Sequence, residues 1–103
     1  MAIKANWENA NKALIIKMDE KFDYSKVQEF RHVYTELSEP PKEIRIDLAD
    51  TQYMDSSALG MLLNMQKHFC DKDKTVNYKI INSRPQVARI LKISRFDKKF
   101  DIS

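Results

Sequence analysis

Alternating apolar and polar residues at positions 3–8 are followed by a more apolar run at positions 13–18. Both runs show the two-residue period of β-strands. The turn-like residues 9–11 lie between them, so the pattern predicts an antiparallel hairpin. Trp7 is the largest apolar residue of the first run, and we expect it to anchor that strand.

From Tyr24 to Leu37 the spacing lengthens to that of an amphipathic α-helix. Asp23 and Ser25 are both candidate caps at its start. The Pro40–Pro41 pair ends the pattern, because proline lacks a backbone N–H and disfavours helix in the residue before it. The predicted buried stripe consists of Val27, Phe30, Tyr34 and Leu37.

Residues 43–48 form a third predicted strand, and a second helix begins at Asp55-Ser56-Ser57 and extends to about Asp71. The short oxygen-bearing side chains of this triplet suit a helix N-terminus. Residues 71–74 are predicted to form a charged turn that ends the helix. The apolar stripe predicted for this helix consists of Leu59, Leu62, Leu63, Gln66, Phe69 and Cys70.

A fourth strand is predicted at residues 75–81, and a third helix begins near Pro85 with Ser83 as a possible cap. Its apolar stripe is predicted to be Val87, Ile90 and Leu91, extended by Ile93. Phe100 and Ile102 suggest a last short strand.

Strands that alternate with helices imply crossover connections and therefore mostly parallel pairing. We expect one α/β domain over residues 1–103, with about three helices and a mixed, mostly parallel β-sheet whose N-terminal strand is antiparallel. Partners of such sheets favour the carboxyl ends of the strands, where the Asp55-Ser56-Ser57 turn is predicted to lie.

Composition narrows the possible functions. Eighteen basic and fifteen acidic residues give a net charge of +3, too mild to indicate nucleic-acid binding. Cys70 is the single cysteine, and no Cys/His cluster has metal-ligand spacing. We predict no metal or cofactor. The N-terminus lacks the apolar core of a signal peptide, and no apolar stretch is long enough to span a bilayer, so we expect a cytoplasmic protein without membrane insertion.

One glycine in 103 residues excludes several catalytic loops. A P-loop, a dinucleotide-binding turn and the Gly-x-Ser-x-Gly elbow of hydrolases all need more. A catalytic role for Ser56 would also require a positioned base, and the sequence around it supplies none. We therefore predict that the protein is not an enzyme.

Asp55 or Ser56 can cap the second helix, and this local structural role explains the motif by itself. A phosphoryl group on Ser56 would lie at the same backbone N–H groups and would add about −1.5 to −2 charge. The cap and a site of modification are compatible roles.

The segment Met54-Asp55-Ser56-Ser57-Ala58-Leu59-Gly60, placed after the third strand, resembles the STAS domain of bacterial anti-sigma factor antagonists. The Lys21-Phe22-Asp23 connection and the 83–87 segment add to the resemblance, which covers nearly the whole chain. The sequence departs from the family in having Ala58 where glycine is usual.

The resemblance implies a regulatory switch. The family serine after the motif aspartate is phosphorylated by an anti-sigma factor that is also a serine kinase of the histidine-kinase-like ATPase fold, and a serine phosphatase resets it. Ser56 would be the acceptor, and the unphosphorylated protein would bind the kinase and release a sigma factor, which regulates transcription. The residues expected at the partner-binding surface are Asp23, Met54, Asp55, Ser56, Ser57, Ala58 and Met61.

Two alternative hypotheses for the function remain. The domain could be a constitutive interaction module, such as the STAS subunit of an ABC-type lipid transporter, in which Ser56 is not phosphorylated. A small-molecule or nucleotide sensor would need a pocket at the strand ends, for which the sequence gives no specific indication.

Overall fold

The computed structural model describes residues 3–8, 12–37, 39–70 and 76–102. Its strands are β1 (Lys4–Glu8), β2 (Ala13–Lys17), β3 (Lys21–Phe22), β4 (Glu43–Asp47), β5 (Tyr53–Met54), β6 (Asn77–Ile81) and β7 (Asp101–Ile102). Its helices are α1 (Val27–Thr35), α2 (Ser56–Cys70) and α3 (Pro85–Ile93), with 3₁₀ turns η1 (Tyr24–Lys26) and η2 (Phe96–Lys98). Among the described helices, none has the length and apolar character to cross a membrane.

Five strands form one sheet in the order β1-β2-β4-β6-β7. β1 and β2 pair antiparallel, and the other neighbours pair parallel. The predicted mixed α/β sheet with three helices is therefore confirmed. The predicted turns at 9–11 and 71–74 lie outside the described residues.

The two faces of this sheet differ because alternate residues of a strand point to opposite sides. On one face, apolar residues of β2, β4 and β6 pack with buried residues of all three helices in one core. The strand residues of this core are Leu14, Ile16, Ile44, Ile46, Tyr78 and Ile80. The other face carries half-exposed charged residues. There Arg45 contacts Glu43 and Glu8, and Glu43 also pairs with Lys79.

The first predicted helix is confirmed, although it opens with the 3₁₀ turn η1 before α1 begins at Val27. Phe30 and Tyr34 are buried, and Val27 and Leu37 pack at the edge of the core, as the spacing predicts. α1 ends at Thr35, several residues before the two prolines.

The buried stripe of α2 differs from the predicted one. It consists of Ala58, Met61, Leu62, Met65 and Phe69, whereas Leu59 and Leu63 are half-buried. Because α2 packs against both the core and α1, its buried arc is wider than a single stripe. Cys70 was predicted on the apolar face, but it is exposed at the end of the helix.

Three further predictions are wrong in detail. Arg84, and not Ser83, is the N-cap residue of α3. Ile93 is 75% exposed, so the apolar stripe of α3 stops before it. Trp7 is 39% exposed, and it lies on β1, which is the outermost strand of the sheet.

A second, two-stranded sheet was not predicted. β3 and β5 pair in parallel, with Lys21 opposite Tyr53 and Phe22 opposite Met54. Phe22 and Met54 are both buried, which holds the small sheet against the core. This pairing brings two helix starts to the same edge of the molecule.

Candidate functional site

Asp55 caps the N-terminus of α2. Its Oδ1 accepts hydrogen bonds from the backbone N–H groups of Ser57 at 3.0 Å and Ala58 at 3.3 Å, in the first turn of the helix, where the i−4 acceptor is missing. The Ala58 N–H also donates to the Asp55 carbonyl oxygen at 3.1 Å. Such a cap contributes about 1 kcal/mol of stability. Asp55 rather than Ser56 therefore performs the capping role. In the unmodified protein the carboxylate holds two of the N–H groups at which a phosphoryl group on Ser56 is predicted to lie, and that position stays a prediction.

Ser56 is the first residue of α2 and is exposed. Because Asp55 fills the capping role, the Ser56 hydroxyl group is not needed for it. The adjacent Ser57 is half-buried. The structure thus places the predicted acceptor on the surface, at the start of a helix that its neighbour stabilises.

Asp23 follows β3 as Asp55 follows β5. It caps η1, where its Oδ1 accepts the Ser25 N–H at 3.1 Å and the Ser25 hydroxyl at 2.5 Å. The hydroxyl hydrogen bond is the main cause that lowers the pKa of Asp23, and Lys26 and Lys21 add to it. Since β3 and β5 are neighbours in register, Asp23 and Asp55 leave the small sheet side by side.

Thr51 holds the loop before the site and was not singled out from the sequence. Its side chain is fully buried and its hydroxyl donates to the Asp19 carbonyl oxygen at 2.8 Å. The N–H groups of Gln52 and Tyr53 donate to the Glu20 carbonyl oxygen at 2.8 and 3.0 Å. These three bonds fix the β4–α2 connection against the β2–β3 connection. A threonine in a polar loop gives no sequence signal for this burial.

The start of α3 also contacts this loop. The Arg84 Nε donates to the Ala49 carbonyl oxygen at 3.0 Å, and the Gln86 side-chain amide donates to the Gln52 carbonyl oxygen at 3.5 Å. The 83–87 segment, which resembled the family, therefore supports the connection that leads to Ser56.

Three residues expected at a partner surface are buried instead. Met54 is 3% exposed, Ala58 is fully buried and Met61 is 5% exposed. Their side chains belong to the core, so they offer no apolar patch to a partner. The Ala58 methyl group is likewise part of the buried core. Of the other residues predicted at that surface, Ser56 is exposed, and three are half-buried: Asp23, Asp55 and Ser57.

Two exposed aromatic residues flank these four. Tyr24 is 72% exposed at the start of η1, and Tyr53 is 51% exposed in β5. Tyr53 points outward because its strand neighbour Met54 points inward. The exposure of Tyr53 could therefore be predicted from the sequence only if the burial of Met54 were already known. Tyrosine is enriched among residues that dominate binding energy at protein interfaces.

The sheet order and the two aspartate-capped helix starts define a mixed α/β domain that displays a serine at a helix N-terminus. The model of the STAS domain family matches residues 4–103, and the chain belongs to this family. A STAS-domain containing protein of Pseudomonas aeruginosa (strain UCBPP-PA14) is 36% identical over 103 residues, which cover the whole of both chains.

Solved structures of anti-sigma factor antagonists share the fold. SpoIIAA in its unphosphorylated form superposes with a TM-score of 0.80 at 15% identity, covering 99% of this chain and 88% of its own. A putative antagonist from Thermotoga maritima gives a TM-score of 0.80 at 19% identity, with 97% and 84% covered. An antagonist from Mycobacterium paratuberculosis gives 0.74 at 17%, with 97% and 84% covered. At these identities the likeness establishes the fold alone.

Proposed function

We propose that the protein is a regulatory switch of the anti-sigma factor antagonist type, whose unphosphorylated form binds an anti-sigma factor that is also a serine kinase. Phosphorylation of Ser56 ends this binding, and a serine phosphatase restores it. The observation that carries the proposal is the exposed Ser56 at the first position of α2, beside a cap supplied by Asp55.

The modification transfers the γ-phosphoryl group of ATP that the kinase binds. The Ser56 Oγ attacks the γ-phosphorus, the new O–P bond forms as the bond to the leaving ADP breaks, and the hydroxyl proton passes to a base of the kinase. The protein itself supplies only the acceptor and its presentation. Its proposed role is therefore regulatory and not enzymatic.

The fold tolerates a charge at Ser56. The positive end of the α2 dipole favours an anion there. Asp55 keeps its hydrogen bonds to the Ser57 and Ala58 N–H groups, so the cap does not depend on the serine. Because Ser56 is exposed, the added charge would face solvent, near the carboxylates of Asp55 and Asp23. A docked partner would meet it directly, and like-charge contact or desolvation would weaken the complex.

Asp23, Asp55, Ser56 and Ser57 form the proposed docking surface, with Tyr24 and Tyr53 at its margin. The two aspartates are carried by adjacent strands of a small sheet, which fixes their relative position before the partner arrives. Such preorganisation reduces the entropy cost of association.

Phosphorylation is tested with the candidate kinase and ATP, followed by phosphosite mapping by mass spectrometry. We expect the wild-type protein and Ser57→Ala to be labelled on Ser56, and Ser56→Ala to remain unlabelled. Ser57→Ala is the matched control because it removes the neighbouring hydroxyl group. Unchanged labelling of Ser56→Ala would refute the assignment.

The electrostatic effect is tested by the affinity of the kinase for three variants. Ser56→Ala and the neutral Ser56→Asn should bind within a few-fold of wild type, and Ser56→Asp should bind about tenfold or more weakly, since it places a charge at the interface. Equal affinities of the Asp and Asn variants would contradict the mechanism. Stable binding to a transporter ATPase with no labelling of Ser56 would instead support the constitutive module.

A further inference from the structure

β1 stands at the edge of the five-stranded sheet. Among the described residues it pairs with β2 on one side, and no strand lies beside its other edge. All five of its residues, 4–8, are exposed. An exposed edge of this kind presents backbone N–H and C=O groups that can pair with another strand.

The sequence of β1 is self-complementary in charge. If two copies pair antiparallel around a two-fold axis at Asn6, Lys4 of one copy lies opposite Glu8 of the other, and the reverse pair forms at the same time. Ala5 lies opposite Trp7 in the same register. The pairing is isologous, as closed dimers require.

The side chains also lie on compatible faces. By the register with β2, Lys4 and Glu8 share the charged face of the sheet, and Ala5 and Trp7 share the opposite one. Both proposed ion pairs would therefore form on the charged face. The Trp7 side chain, 39% exposed, would cover Ala5 of the second copy on the other side.

Glu8 has room for a second cation. It already accepts a bond from Arg45 Nη1 at 3.2 Å through Oε2, while its side chain is 53% exposed. A carboxylate can accept several hydrogen bonds. Lys4 of a second copy can approach Glu8 without displacing Arg45.

We infer that the β1 edge pairs with β1 of a second copy of this chain, antiparallel about Asn6, to give a continuous ten-stranded sheet. One short strand per copy buries less surface than a stable interface requires. The dimer is therefore weak and forms at high protein concentration. The inference is independent of the proposed function, because the residues of β1 lie outside the Ser56 surface.

The test uses sedimentation velocity over a concentration series with the wild-type chain, Lys4→Glu, Glu8→Lys and an equimolar mixture of the two variants. Each variant alone places like charges opposite each other twice, so its dissociation constant should rise by about tenfold or more. In the mixture, the acidic β1 edge of Lys4→Glu can pair with the basic β1 edge of Glu8→Lys, so positions 4 and 8 carry opposite charges in both pairs. Dimers should then return to within about threefold of the wild-type constant.

Lys92→Glu is the control, since it makes the same charge change on the exposed surface of α3 and should leave dimerisation unaltered. Circular dichroism checks the fold of Glu8→Lys, which loses the contact with Arg45. If that variant does not fold, the comparison of Lys4→Glu with Lys92→Glu decides. A monomeric wild-type chain at millimolar concentration, or variants that dimerise like wild type, would overturn the inference and leave the edge to a different partner.

Discussion

Asp23 and Asp55 occupy equivalent positions at the ends of two paired strands. Each follows a buried residue of the β3–β5 pair, and each accepts the N–H of the residue two positions further on, at 3.1 and 3.0 Å. One carboxylate starts the η1–α1 segment and the other starts α2. The small sheet thus aligns two capped helix starts, and Ser56 stands beside them.

Removing the Asp55 cap should destabilise the domain, whereas removing the Ser56 hydroxyl should not. We expect Asp55→Ala to lower the free energy of unfolding by about 1 kcal/mol, because the Ser57 N–H loses its side-chain acceptor and the Ala58 N–H keeps only the carbonyl oxygen of residue 55. Ser56→Ala should stay within about 0.5 kcal/mol of wild type. Urea denaturation measures both. A larger cost for Ser56→Ala than for Asp55→Ala would contradict the capping assignment.

The Ser25 hydroxyl should control the ionisation of Asp23. Its hydrogen bond to Oδ1 is the main cause that holds the pKa of Asp23 below its ordinary value. Ser25→Ala should therefore raise this pKa, while the backbone bond from residue 25 and the nearby lysines keep part of the effect. An NMR titration of the Asp23 carboxyl carbon measures the change. Ser57→Ala serves as the control, and an unchanged pKa in Ser25→Ala would refute the attribution.

The buried Thr51 hydroxyl should determine the rigidity of the loop before Ser56. In Thr51→Val the shape is retained but the Asp19 carbonyl oxygen loses its donor, at a cost of about 1–3 kcal/mol. We expect faster amide hydrogen exchange at Gln52 and Tyr53, whose N–H groups are bonded next to that contact. Thr51→Ser keeps the hydroxyl and should keep this protection. Equal exchange in the two variants would argue against the role of the hydroxyl.

Glu43 should give the domain a stability contribution that is lost in acid. Burial raises the pKa of Glu43, but the hydrogen bonds from Arg45 and Lys79 lower it by more, so the folded pKa lies below its ordinary value. A group with a lowered folded pKa stabilises above its unfolded pKa, about 4.3, and loses that contribution as the pH falls through the folded pKa.

Glu43→Gln should therefore be less stable than wild type at neutral pH, and the difference should shrink as the pH falls below about 4.3 and disappear once the pH is below the folded pKa of Glu43. Urea denaturation across this pH range provides the measurement. Glu39→Gln, on the exposed surface, is the matched control. A difference that persists unchanged in acid would show that the ion pairs are not its source.

Much of the fold could be predicted because its signals are local. The two-residue alternation around Ile44 and Ile46 and the helical spacing of Phe30 and Tyr34 each identify a strand or helix that the structure confirms. The buried arc of α2 could not be predicted in the same way. Met61 and Met65 are buried because α2 packs against both the core and α1. A single apolar stripe in a sequence indicates only one packing partner.

The candidate site shows the same division. The sequence by itself determined that Asp55, Ser56 and Ser57 start a helix after a strand, because capping depends on side chains within a few residues of one another. Only the tertiary structure decided that Asp23 lies beside Asp55 and that Met54 faces the core. Those facts depend on the pairing of β3 with β5, and a two-residue strand is too short to have a detectable period.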